Sequence, residues 1–101
     1  MKIQAKHNYY VYILTNKAKT VLYVGVTNDL KQRLYFHNHP EPFSKAFAAK
    51  YKVRYLVYYE HFTNIEAAIN REKQIKKFRR EKKVTLINKF NPTWRFLNDE
   101  V

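Results

Sequence analysis

Glu72 stands on the apolar side of a helical pattern. At ~100° per residue, Ile65, Ala68, Ile69, Ile75 and Phe78 fall on one side, with Glu72 inside that stripe and Glu66 pointing well away. A carboxylate among apolar neighbours loses hydration unless it meets a metal, a cation or hydrogen-bond donors. The plainer alternative is an i,i+4 pair with Lys76, worth a few tenths of a kcal/mol, and the wheel alone slightly favours it. An earlier helical stretch offers a matching pair. Leu30 and Leu34 mark its buried side, with Arg33 and His37 at or near that side, one turn apart. A guanidinium is a planar, bidentate donor array suited to a buried phosphate clamp. For an isolated pair, an aliphatic stem covering the core beneath a solvated head is the better reading, and His37 alone carries little weight. Gly25, the only glycine, falls inside a strand pattern, which points to a bulge or a close approach by backbone or ligand. Tyr23 shares its face by period-two alternation, so a tyrosine beside a missing side chain has room to meet a substrate. Tyr9, Tyr10, Tyr12, Tyr55, Tyr58 and Tyr59 temper this, since most tyrosines in such strands pack.

The elements that must hold these residues read clearly. Residues 9–15 (YYVYILT) and 21–26 (VLYVGV) are strand-like, and the polar five-residue break at 16–20 has hairpin length. Thr27, Asn28 and Asp29 supply cap residues for a helix over 30–38, which Pro40 and Pro42 end. Ser44 caps a short helix through Tyr51. Residues 53–62 form a third strand, apolar on both faces and therefore well buried. Thr63 to Glu66 has capping-box spacing before a helix to about Phe78, and another runs over 80–90, ending before Asn91 and Pro92. The expected fold is α+β: a three-stranded antiparallel sheet flanked by helices. One domain spans residues 1–101, with its core over about 9–90 and a tail, 91–101, that packs on it through Trp94, Phe96 and Leu97.

Composition narrows the partners. Twenty Lys and Arg against eight Asp and Glu give 101 residues a formal net charge of +12. Such an imbalance points to a polyanion, most economically nucleic acid. From Arg71 to Lys83 there are eight Lys and Arg. Arg71, Lys73, Lys76, Lys77, Arg79 and Arg80 are the candidates for tracking phosphates without reading sequence. No apolar run approaches the ~18 residues of a membrane span. The first residues lack the apolar region of a secretory signal. The absence of cysteine excludes disulfide-linked partners, zinc knuckles and thiol nucleophiles. A cytoplasmic location is the expectation.

Together the residues form a recognisable pattern. Val11-Tyr12-Ile13, then Tyr23-Val24-Gly25 ten positions after Ile13, then Arg33 in the next helix, resemble the GIY-YIG nuclease domain. Asn70 to Lys77 resembles the helix that carries this family's metal-binding glutamate. The stretch from Tyr9 through Trp94 is similar to the small stand-alone bacterial members, relatives of the N-terminal nuclease domain of the excision-repair C subunit. The resemblance implies a metal-dependent endonuclease that cleaves DNA phosphodiester bonds with structure-based or weak specificity, in DNA repair or processing. Tyr12 or Tyr23 would be the general base and Arg33 the phosphate clamp. His37 would assist at the nucleophile, and Glu72 would hold one Mg²⁺, with Mn²⁺ the substitute. Two departures stand out: the first motif lacks the leading glycine, and Val26 occupies a position where several relatives carry Lys or Arg. The family's later asparagine has two candidates here, Asn88 and Asn91, and Asn91 before Pro92 equally reads as a helix stop. The rival reading is a non-catalytic nucleic-acid-binding module that keeps the fold.

Overall fold

The computed structural model describes residues 7–38 and 51–101, without the side chains of 36–38; the short helix expected from Ser44 lies outside them. Aromatic and β-branched residues build β1 (Tyr9–Thr15), β2 (Leu22–Thr27) and β3 (Tyr55–Phe62). The helices are α1 (Leu30–Asn38), α2 (Ile65–Lys76) and α3 (Arg80–Phe90). The sheet order is β2-β1-β3, with both pairings antiparallel. Fold class and architecture are those expected from the sequence.

Local chemistry sets the boundaries. The Asn16 side-chain oxygen accepts hydrogen bonds from the Thr20 and Val21 amides at 2.8 and 3.0 Å, which shapes the β1–β2 hairpin. Asp29 caps α1 by accepting from the Gln32 amide at 3.0 Å. The cap of α2 is Asn64 rather than Thr63: its side chain accepts from the Ala67 amide at 3.0 Å. The expected capping box does not form, because the residue three after Asn64 is Ala67, which has no polar side chain to reach back.

The sheet buries both faces. On one, Val11, Ile13, Val24, Val57 and Tyr58 pack with Ala68 and Ile75 of α2 and Ile87 of α3. On the other, Tyr12, Leu14 and Leu56 pack with Leu30 and Leu34 of α1 and with Leu97 of the tail. Ile65, expected on the buried stripe of α2, is instead 49% exposed.

The third strand departs from expectation in an instructive way. It is an edge strand, and β1 is central. Its apolar character on both faces has two causes. Ile13 pairs with Tyr58 while Leu14 pairs with Leu56, so Val57 is a bulged extra residue; Val57 and Tyr58 then both pack on the α2 side while Leu56 packs on the α1 side. The tail then covers the start of the edge. The Leu97 amide donates to the Leu56 carbonyl at 2.8 Å, and the Asn98 side chain accepts from the Leu56 amide and donates to the Arg54 carbonyl. Buried Asn91 donates to the Val57 carbonyl at 3.1 Å, serving the bulge.

Candidate functional site

Tyr12 lies at the middle of β1, opposite Gly25 of β2 and Tyr59 of β3. A Cβ on Gly25 would sit 2.5 Å from both the Cζ and the Oη of Tyr12. The missing side chain thus makes room for the Tyr12 phenol rather than for a ligand. The ring of Tyr23, half-buried on the same side, is 6.4 Å from that of Tyr12 between centroids. Burial pushes the Tyr12 phenol well above the ordinary tyrosine range; Tyr23 adds to the rise, Arg33 opposes it and Glu72 adds again. Three other candidate residues therefore act electrostatically on one hydroxyl. Tyr23 comes from the neighbouring strand, and the other two come from helices on opposite faces of the sheet, Arg33 from α1 and Glu72 from α2. The backbone of His37 lies in α1, and its side chain is outside the described residues.

Arg33 is exposed, in keeping with the solvated-head reading and not with a buried clamp. Its position leaves the guanidinium at the surface while its charge still acts on Tyr12. Glu72 occupies the stripe between Ala68 and Ile75, and its side chain is only 15% exposed. It also makes the i,i+4 ion pair: Lys76 Nζ is 3.0 Å from Glu72 Oε2, with the Lys76 side chain 53% exposed. Its place in the apolar stripe and the plainer i,i+4 pairing with Lys76 are thus both present. No group of three or more His, Cys, Asp or Glu gathers among the described residues. Any cation here would rest on one carboxylate.

A model of the GIY-YIG catalytic domain matches residues 8–91. The chain belongs to this nuclease family. A UPF0213 protein of Staphylococcus saprophyticus is 38% identical over 79% of this chain and 94% of its own length. A UPF0213 protein of Clostridium perfringens is 42% identical over 78% of this chain and 82% of its own. The solution structure of a UPF0213 protein from Bacillus halodurans matches with TM-score 0.54 and 28% identity, covering 86% of this chain and 89% of that one. As a GIY-YIG domain, the chain has its two tyrosine motifs on adjacent strands and in register, Tyr12 facing Gly25 and Leu14 facing Tyr23.

The basic candidates of this GIY-YIG domain divide. Lys73, Lys77, Arg79 and Arg80 are exposed around the α2–α3 junction, as is Lys76 beside Glu72. Arg71 turns inward: its Nε is 3.0 Å from Glu60 Oε2, its Nη1 donates to Gln74 at 2.6 Å, and it lies over the Phe78 ring. The Tyr58 hydroxyl donates to the same Glu60 carboxylate. Burial opposes the charge on Arg71, but contact with Glu60 and Tyr58 outweighs it and raises its pKa. A signal for this cluster was present, because Glu60 is the one acid in an aromatic strand and needs a cation. The two asparagine candidates also have structural partners. Asn91 bonds Val57 and Arg95, and Asn88 accepts from the Trp94 indole at 2.6 Å. No described helix is long and apolar enough to cross a membrane.

Proposed function

We propose that this protein is a divalent-metal-dependent endonuclease hydrolysing DNA phosphodiester bonds at Tyr12, Tyr23, Arg33 and Glu72, with His37 alongside in α1. One observation carries the reading: the buried Tyr12 phenol, held against Gly25, is acted on by Tyr23, Arg33 and Glu72 together. Hydrolysis needs a water to lose its proton, the phosphorus centre to be neutralised and the leaving 3′-oxygen to be stabilised. Arg33, charged and exposed, grips the non-bridging oxygens of the scissile phosphate with its planar donor array. Its positive charge also opposes the rise of the Tyr12 phenol.

The donor set fits a hydrated Mg²⁺, with Mn²⁺ as substitute. A single half-buried carboxylate leaves the remaining positions to water and phosphate oxygens, as Mg²⁺ commonly requires. Glu72 is the residue that would hold it, and Lys76, on an exposed side chain, can swing away as it binds. Such an ion supplies neutralisation of the charge that builds on the phosphate and the leaving oxygen.

Tyr23 is the favoured general base. Tyr12 is fully buried and its phenol is pushed up, so it keeps its proton and serves as a donor that orients the water or phosphate. Tyr23 is the partner whose use avoids ionising that buried phenol. The exposed Lys73, Lys77, Arg79 and Arg80 would track the DNA backbone. Residues 1–101 act as one domain, in keeping with the place of Leu97 in the core, and serve DNA repair or processing in the cytoplasm. The rival, a binding module without cleavage, has the Glu72–Lys76 pair in its favour, since that pair already neutralises the carboxylate.

A panel of labelled duplex, single-stranded, flap and junction DNAs decides between them. Cutting of at least one substrate with Mg²⁺ or Mn²⁺, abolished by EDTA, is the expected result. Binding without cutting on every substrate establishes the rival.

A further inference from the structure

At the hairpin end of the sheet lies a second feature that the nuclease reading does not use. A cavity of about 330 Å³ opens between the β1–β2 hairpin and the start of β3, lined by Lys17, Tyr51, Lys52, Arg54 and Tyr55, with no carboxylate among the described residues that line it. Tyr55 is backed by Phe96, stacked at 4.2 Å and 20°, and Lys19 lies 5.3 Å from the Phe96 centroid. Tyr51 and Phe96 are 43% and 38% exposed. Of the acids in the tail that carries Phe96, Glu100 is paired with Arg95 at 2.8 Å.

Backbone geometry adds an independent observation. Among described residues, only Lys19, Lys52 and Trp94 combine a side chain with a left-handed φ, at 60°, 55° and 54°. Glycine fits such positions without steric cost, and lysine does not. Lys19 ends the turn closed by its amide on the Asn16 carbonyl, where a hairpin ordinarily uses glycine. Strain of this kind points to function when it gathers at one place. Here two of the three strained residues are lysines flanking one aromatic groove.

We propose that this groove binds an unpaired stretch of polynucleotide, one base stacked on the Tyr55 ring that Phe96 backs and the flanking phosphates on Lys17, Lys52 and Arg54. Flat aromatic faces inside a cationic groove are the recognition chemistry of single strands. A duplex keeps its base faces covered, and an acidic peptide has none to offer. The groove would hold a strand whether or not the GIY-YIG centre cuts it, so the proposal stands apart from the nuclease reading.

The test measures binding in EDTA, where no cleavage intervenes. A labelled oligothymidylate of about fifteen nucleotides, its abasic analogue and an oligouridylate are titrated at low salt by anisotropy. The abasic strand is expected to bind about tenfold more weakly, because it keeps the phosphates and loses the stacking. Lys52→Gly removes the charge at a φ that suits glycine, so its affinity falls about fivefold while its Tm is not lowered. Tyr55→Leu loses stacking in the same way, and Lys89→Ala, one charge removed elsewhere, changes affinity less than about twofold. An oligodeoxyuridylate beside the oligouridylate, differing only in the 2′-hydroxyl, identifies which sugar the groove accepts. Equal binding of the abasic strand, or equal loss for Lys52→Gly and Lys89→Ala, overturns the proposal and leaves general charge attraction.

Discussion

At position 25 a single methyl group decides whether Tyr12 keeps its place. Gly25→Ala puts a Cβ 2.5 Å from the Tyr12 ring and hydroxyl, and both sit on paired strands that cannot part freely. The expected outcome is a loss of about 1–3 kcal/mol by urea denaturation, with cleavage reduced at least about a hundredfold because the phenol is displaced. The two tyrosines separate by role. Tyr23→Phe is expected to slow single-turnover cleavage by about 10²–10⁴, the contribution of a general base, and Tyr12→Phe by less. The reverse order would assign the base to Tyr12. At this scale the sequence disclosed the residue types well. Gly25 marked a close approach, and Glu72 marked a carboxylate in an apolar stripe. What stayed hidden was which atom fills the gap over Gly25, because that depends on the register that brings Tyr12 opposite. The lysines of the hairpin groove were hidden for a similar reason: Lys19 and Lys52 look like ordinary loop residues until their backbone angles are known.

Elements were legible where local signals agree. The helix over Arg80–Phe90 matches its expected span because Asn91 and Pro92 stop it, and the hairpin follows from two β-rich runs around a polar break. The central strand was not legible. Both β1 and β3 carry apolar residues on two faces, and only the pairing order shows that β1 lies between the others. The bulge at Val57 and the asparagine that serves it are tertiary facts with no local signature. Asn91 is buried and makes hydrogen bonds to the Val57 carbonyl and to the carbonyl and amide of Arg95. Asn91→Ala leaves those groups without their partner, and the expected cost is about 2–3 kcal/mol in a urea titration, with Asn98→Ala, nearer the surface, costing less.

For the whole molecule, charge and pH make opposite demands. In the proposed nuclease the net +12 would draw DNA through phosphate contacts, so the logarithm of the binding constant is expected to fall linearly with that of salt concentration. Replacing Lys77 and Arg80 by alanine is expected to reduce that slope by about one per residue. Replacing Arg71 should reduce it little, because Glu60 and Gln74 already occupy its guanidinium. Stability has its own pH dependence. Tyr12 and Tyr58 are both pushed above the ordinary tyrosine value by burial, Tyr58 also by its bond to Glu60. The unfolded chain therefore releases these protons near pH ~10 while the folded chain retains them. Stability from these groups is fully present below that pH and falls as pH rises beyond it. Tyr58→Phe is expected to flatten that alkaline loss, as read from thermal melts between neutral and strongly alkaline pH.

The most direct measurement is single-turnover DNA cleavage by Glu72→Gln beside the wild type, with DNA binding measured in EDTA for both. The change removes one charge and keeps the shape of the side chain within the α2 stripe. Cleavage should fall by at least about a thousandfold, the scale of losing the main electrostatic stabilisation of a transition state, with DNA binding retained or tightened. Metal-dependent cleavage at the wild-type rate in Glu72→Gln would contradict the assignment of this carboxylate, and with it the centre around Tyr12.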